Sequence, residues 1–302
     1  MLVDVNSAAR VLVFDSGVGG LSILSHILQR LPSLNVSYVM DDACCPYGEK
    51  ADAYLQERMQ LVMARAIERC QPDLVVVACN TASTLSLQSF RQAFSLPFVG
   101  VVPAIKPAYE KTTSGAVVLL ATAATVQRDY VMDLWSRFGR GRSLIRLACP
   151  ELVAMAENKV RGQSIDTSQW QELVETLRDK VNAELKGGES VEAFVLGCTH
   201  FPLLRDELMQ AWRDPCLWLD SGVAVAERVA DLLAPSEQAQ SRKSDALGHR
   251  HKGQKIAARA IHRESNTGEA SATCWHTSAQ IDVSLAERLA SHRLQLAGCL
   301  FE

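Results

Sequence analysis

No pair among the nine cysteines of this 302-residue chain is spaced as C-x-x-C, so neither a zinc ribbon nor a thioredoxin-type site has support. Cys198 and His200 form C-x-H, and His249 and His251 form H-x-H, but neither has a matching second half. No metal site is therefore expected. Long apolar runs are missing as well: stretches such as 116–121 fall far short of the roughly 20 residues a membrane helix requires. The start of the chain has no basic segment followed by an apolar core, so the expectation is a cytoplasmic protein that does not engage a membrane and keeps its thiols reduced. Aromatics make up only 6% of residues beside 48% hydrophobic and 22% charged, a balance that suits a soluble globular chain. A net charge of −3 gives no general attraction for nucleic acid or an acidic surface. The length exceeds what one typical domain holds and points to two lobes.

Nucleotide-binding signatures fail in the same way. Asp15-Ser16-Gly17-Val18-Gly19-Gly20 follows an apolar run, as a dinucleotide fingerprint would, but the position needing a third glycine holds Ser22. No phosphate-loop lysine pattern occurs either. These glycines instead suit a tight turn or a close backbone approach to a small ligand.

What is present is an alternation of short apolar runs with amphipathic stretches, continuing to Pro235, the pattern of a parallel α/β protein. Residues 11–14, 36–40, 74–78, 98–102, 117–121, 193–196 and 217–219 read as buried strands. Between them, residues 55–70 place Leu55, Met59, Val62, Met63, Ala66 and Cys70 on one helical face. Residues 170–185 do the same with Leu173, Val174, Leu177 and Val181. Beyond Pro235 the chain turns polar, and residues 242–263 hold seven Lys or Arg and one acid. This reads as a solvated insertion, with docking to nucleic acid or an acidic partner as the sharper alternative. Residues 284–296 read as a helix packing back on the core.

Two of the apolar runs end alike. Strand 74–78 delivers Cys79-Asn80-Thr81-Ala82-Ser83-Thr84, and strand 193–196 delivers Gly197-Cys198-Thr199-His200-Phe201-Pro202. Ligands of parallel sheets bind beyond the carboxyl ends of the strands, so both cysteines stand where chemistry is done. A thiol at a helix start also feels the positive end of the macrodipole. Asn80, Thr81 and Ser83 have an ordinary alternative as helix caps. One cysteine beside a histidine would suggest a thiol hydrolase. Two thiols in matched contexts fit a different reaction, in which a proton leaves one face of a carbon and another returns to the opposite face. An ordinary thiol pKa of about 8.5 leaves both forms accessible near neutrality. Helix-start N–H groups and the hydroxyls of Ser16, Thr81 and Thr199 are candidate donors for the charge that develops. Asp15 is a candidate for holding a substrate ammonium group or orienting a thiol.

These segments, with Pro46-Tyr47-Gly48-Glu49-Lys50 and Asp220-Ser221-Gly222, resemble the bacterial glutamate racemases in order and spacing over about residues 10–235. Val99-Gly100-Val101-Val102-Pro103-Ala104 is similar to that family's crossing between lobes. The resemblance implies two pseudo-symmetric α/β lobes with parallel sheets flanked by helices and an active site in the cleft. Residues 1–102 with 218–302 would form the first lobe, carrying a flexible insertion at 236–270, and residues 103–217 the second. It implies cofactor-independent interconversion of L- and D-glutamate for peptidoglycan synthesis, with Cys79 acting on D-glutamate and Cys198 on L-glutamate. Asp15, Ser16, Tyr47, Gly48, Asn80, Thr81, Thr125, Thr199 and His200 would contact substrate. Asp15, Glu157 and His200 would be auxiliary acid–base or thiol-orienting groups, with Asp41 a weaker candidate. The proteobacterial type is the most similar. It implies activation by UDP-N-acetylmuramoyl-L-alanine, and for some members contact with DNA gyrase; a homodimer is also expected.

Two features depart from the family pattern: Cys44-Cys45 before Pro46, and the long basic stretch after Pro235. The nearest rival activity is racemisation of aspartate, because one methylene is worth only about 1–3 kcal/mol of discrimination. A one-cysteine decarboxylase is disfavoured by the second thiol.

Overall fold

The computed structural model describes residues 9–234, 271–279 and 283–301. The basic stretch at 236–270, and the docking role considered for it, lie outside the described residues. The chain begins with β1 (Arg10–Asp15), α1 (Leu21–Arg30) and β2 (Asn35–Met40), and continues through α2 (Asp52–Cys70), β3 (Leu74–Val77), α3 (Asn80–Ala93) and β4 (Phe98–Gly100). Next come α4 (Ile105–Lys111), β5 (Ala116–Ala121), α5 (Ala123–Val126), α6 (Asp129–Phe138) and β6 (Leu144–Ala148). They are followed by α7 (Glu151–Val160), α8 (Thr167–Glu184), β7 (Val191–Leu196), α9 (Arg205–Trp212), β8 (Leu217–Leu219) and α10 (Gly222–Leu233). The last described elements are β9 (Ala272–His276), α11 (Val283–Ser291) and β10 (Gln295–Cys299).

Two wholly parallel sheets result, of order β10-β9-β2-β1-β3-β4 and β6-β5-β7-β8. The central strands β1, β3 and β5 are buried along nearly their whole length, because helices cover both faces, and their unbroken Val/Leu runs follow from that. Helix α2 buries Leu55, Met59, Val62, Met63 and Ala66, the stripe expected from its period, with Cys70 only half-buried at its end. Each such side chain contributes roughly 1.5–3 kcal/mol on burial. Helix α8 buries Leu177 and Val181 fully and Leu173 and Val174 in part.

The expected strand at 98–102 stops at Gly100, because the chain leaves the sheet there to cross toward Pro103. It crosses back after β8, where α10 packs on α1 with Arg30 paired to Glu227 at 2.8 Å. The two crossings are joined: Ser221 Oγ donates to the Val102 carbonyl at 2.5 Å. The expected lobe boundary at 217/218 would cut β8, but β8 pairs in parallel with β7 and so lies wholly in the second sheet. Residues 284–296 are a helix only as far as Ser291; their final residues begin β10, which lies beside β9 at the sheet edge. No helix among the described residues is long and apolar enough to cross a membrane.

Candidate active site

Each cysteine reaches the cleft on a strand end. β3 stops at Val77, and Cys79 occupies the N-cap position of α3 with extended backbone (φ −81°, ψ 128°). The Ser83 N–H bonds to the Cys79 carbonyl at 2.9 Å. The side chains expected to cap α3 are used elsewhere. Asn80 Nδ2 donates to the Gly197 carbonyl at 2.7 Å, across to the other lobe, and Ser83 Oγ donates to the Val77 carbonyl at 2.9 Å. On the second sheet β7 stops at Leu196, and a 3₁₀ turn (Phe201–Leu204) with Pro202 in its first turn carries the chain into α9.

Both thiols line one cavity with about 310 Å³ of atom-free space, measured out to its mouth. From the first lobe Ser16, Tyr47, Gly48, Cys79, Asn80 and Thr81 contribute; from the second, Thr125, Cys198, Thr199 and His200. Thus ten expected residues converge on one cavity. Pro46, which belongs to the segment 46–50 already noted, lines it too, as do Thr122 and Val153, which were not singled out from sequence. Thr122 had a legible signal, since it ends β5 as Cys79 and Cys198 end β3 and β7. It caps α5, accepting from the Thr125 N–H at 3.3 Å, and its hydroxyl donates to Thr125 Oγ1 at 3.1 Å.

Asp15, Glu157 and Asp41 do not line the cavity. The Asp15 carboxylate is fully buried, and three donors hold it. Its Oδ1 accepts from Ser16 Oγ at 3.2 Å and the Gly17 N–H at 3.0 Å, and its Oδ2 accepts from Thr199 Oγ1 at 3.0 Å. Burial raises its pKa from the ordinary carboxylate value, against the pull of His200 and these hydrogen bonds. Asp41 sits beneath Tyr47, accepting its hydroxyl at 2.7 Å and two bonds from Arg58 at 3.0 and 2.7 Å. It braces the Tyr47 wall.

Behind each thiol stands a chain of polar groups. Cys79 Sγ lies 3.9 Å from Ser16 Oγ, which leads to Asp15. Burial, with the Asp15 charge next in size, pushes the Cys79 thiol up to about 12. Cys198 Sγ lies 3.8 Å from His200 Nδ1, and His200 Nε2 lies 2.8 Å from Glu157 Oε1. Burial alone would lower the His200 pKa, but hydrogen bonds with Cys198, Cys45 and Glu157 outweigh it and raise the imidazole well above its usual value. Glu157 responds in the opposite sense. Burial works against its charge, but the His200 bond, the Val18 N–H and Arg161 hold the carboxyl at about 2.

The glycine-rich loop after β1 is a seam between lobes. A Cβ at Gly17 would collide with Glu157 Oε1, and one at Gly19 would lie 2.6 Å from both His200 Nδ1 and Thr199 Oγ1. Close approach is what these glycines permit, and in this structure the approaching groups belong to the opposite lobe. Ser22 Oγ extends the seam, donating to the Thr199 carbonyl at 2.8 Å.

The fold is that of a two-lobed α/β protein in which one strand-end thiol from each lobe lines a shared cavity. Residues 19–229 match the Asp/Glu/Hydantoin racemase family, and the chain belongs to that family. It is 46% identical over 223 residues to a glutamate racemase of Salmonella typhimurium, covering 74% of this chain and 76% of that protein. It is 45% identical over 228 residues to a glutamate racemase of Pectobacterium atrosepticum, covering 76% of this chain and 78% of that one. Among solved structures, Escherichia coli glutamate racemase in complex with L-glutamate and the activator UDP-MurNAc-Ala aligns with a TM-score of 0.77. That alignment has 35% identity over 96% of this chain and 97% of the other.

Proposed function

We propose that this chain is a glutamate racemase that interconverts L- and D-glutamate by two-base proton transfer between Cys79 and Cys198, without a cofactor, and supplies D-glutamate for peptidoglycan. The observation that carries the reading is the pair of strand-end cysteines, one from each lobe, lining a single cavity. One thiol takes the α-proton while its counterpart gives a proton to the opposite face. Cys198 would act on L-glutamate and Cys79 on D-glutamate, by the family resemblance.

The surroundings support different proton management at the two ends. Cys79 is held strongly as a thiol by burial and by Asp15, the form that donates. Working as a base, it needs an acceptor, and Ser16 leads to the Asp15 carboxylate, whose pKa burial raises. At Cys198, His200 takes and returns the proton across the 3.8 Å contact while Glu157 holds the imidazole in place. Asn80 Oδ1 is buried without a partner, which makes it a ready acceptor for the substrate ammonium. Helix-start N–H groups and the Thr81 hydroxyl suit the carboxylate on which negative charge grows, while the Thr199 hydroxyl donates to Asp15.

The high identity to glutamate racemases favours glutamate over aspartate. Activation by UDP-N-acetylmuramoyl-L-alanine is proposed from the Escherichia coli relative, whose complex contains that activator. A circular-dichroism racemisation assay on glutamate and aspartate, with and without this precursor, tests the reading. Turnover of glutamate, increased by the precursor, is expected; turnover of aspartate alone would overturn the substrate assignment.

A further inference from the structure

Cys45 is outside the cavity lining and has no part in the mechanism above, yet its sulfur lies 3.7 Å from Glu157 Oε1, the oxygen that His200 Nε2 meets at 2.8 Å. One thiol, one imidazole and one carboxylate thus present Sγ, a ring nitrogen and a carboxylate oxygen all within 4.8 Å of one another. We propose that Cys45, Glu157 and His200 form a binding site for a thiophilic divalent cation, Zn²⁺, which shuts the enzyme off by fastening the lobes together and withdrawing His200 from Cys198.

The donor set is one that Zn²⁺ takes: thiolate, imidazole nitrogen and carboxylate oxygen. Bond lengths of about 2.3 Å to sulfur, 2.0–2.1 Å to nitrogen and 2.0–2.2 Å to oxygen place tetrahedral ligand atoms about 3.4–3.6 Å apart. The sulfur–oxygen separation of 3.7 Å already matches. The oxygen–nitrogen separation of 2.8 Å needs to widen by roughly half an ångström, within the reach of a side-chain rotation. Glu157 Oε1 now collects the S–H of Cys45 and the N–H of His200. A cation at the centre replaces both protons. Zn²⁺ enters, the Cys45 thiol and the protonated His200 each lose a proton to solvent, and the zinc–sulfur, zinc–nitrogen and zinc–oxygen bonds form with no change of oxidation state. The fourth position is left to water. Access exists, since Cys45 is only half-buried and the Glu157 side chain keeps 14% of its surface exposed.

Position gives the site its consequence. Cys45 lies between β2 and α2 of the first lobe, whereas Glu157 stands on α7 and His200 follows β7 in the second. A bound cation therefore spans the seam. It also takes the imidazole Nε2 that now holds Glu157, which leaves the one remaining ring proton fixed on Nδ1, so His200 can no longer accept a proton from Cys198. The ion lies behind His200, outside the cavity, so excess glutamate does not displace it. Binding stands on the geometry alone; the effect on turnover rests on the racemase reading.

The test uses the full chain freed of metal with a chelator. Titration with Co²⁺ should produce a thiolate-to-cobalt charge-transfer band saturating at one equivalent, displaced by Zn²⁺. Cys198→Ser and Cys79→Ser keep this band, and Cys45→Ala loses it along with more than about tenfold of the Zn²⁺ affinity, the least that even outer partners of a metal site cost. A wild-type chain without the band, or a Cys45→Ala chain that retains it, overturns the site. In turnover assays Zn²⁺ lowers kcat of the wild-type chain at saturating glutamate, a chelator restores it, and Cys45→Ala is insensitive. If the band behaves as expected while Zn²⁺ leaves wild-type turnover unchanged, the shut-off role is overturned and the site stands. If no variant or wild-type chain racemises glutamate at all, the functional reading fails independently of the cobalt result.

Discussion

The Glu157 carboxylate lies 2.8 Å from His200 Nε2, and each group moves the other's ionisation: Glu157 to about 2, His200 well above its usual value. The folded-state pKa of Glu157 is depressed, so its contribution to stability is present above the unfolded carboxylate value of about 4.3 and is lost as pH falls toward 2. That of His200 is raised, so its contribution is full below about 6.5 and is lost as pH rises through the folded value. The pair therefore stabilises most between about pH 4.3 and 6.5. Glu157→Gln should cost about 3 kcal/mol there, as expected for removing one partner of a buried pair. Melting curves taken across pH should show the gap from wild type narrowing on both sides; a gap independent of pH would contradict this account.

Replacing Cys79 or Cys198 by serine should lower racemisation of glutamate by roughly 10²–10⁴-fold, the worth of a positioned acid or base. With the wild-type chain, solvent deuterium should enter the α-carbon of both enantiomers, read by proton NMR. Full activity in either variant would sink the two-thiol mechanism.

Asp15→Asn should separate stability from activity. The buried carboxylate bears a desolvation cost that a neutral amide avoids, and the amide Nδ2 can donate to Thr199 Oγ1 once that hydroxyl turns. Stability should rise by on the order of 1 kcal/mol while racemisation falls. The cleanest readout compares calorimetric melting with turnover started from D-glutamate. That direction needs Cys79 as base.

Gly19→Ala should harm both properties. The new methyl would meet His200 and Thr199 at 2.6–2.8 Å, in a seam too dense to give way. A loss of about 1–3 kcal/mol in stability is expected from overpacking, with a larger proportional loss in kcat/KM because the lobes no longer meet. An unchanged kcat/KM in denaturant-free buffer would show that the seam can yield.

Activity should survive both metal chelators and carbonyl reagents. Loss with the first would point to a required metal, and loss with the second to a pyridoxal-type carbonyl. Either result would overturn the cofactor-free reaction.

The central architecture was readable because buried parallel strands leave continuous Val/Leu runs, as at 74–77 and 116–121. The edges were less legible. β6 interrupts its buried Ile145 and Leu147 with the exposed Arg146, and β10 exposes Gln295, Leu296 and Ala297 before turning through Gly298 at φ +129°. Neither keeps an apolar run. The paired thiols could be found because each terminates a strand. Cys45 could not be linked to Glu157 and His200, because the three are far apart in sequence and meet only across the seam between the lobes. Asp15 was visible as a polar strand end, but only the fold shows that the Gly17 N–H and the Thr199 hydroxyl hold it.

The bond from Ser221 to the Val102 carbonyl has its own consequence for how substrate comes and goes. Two connections fastened side by side act as two pins on one doorpost: the halves can swing about the line through them, whereas twisting or sliding would break the fastening. On that geometry the cleft is expected to open along one arc, with either enantiomer of glutamate entering and leaving by the same mouth.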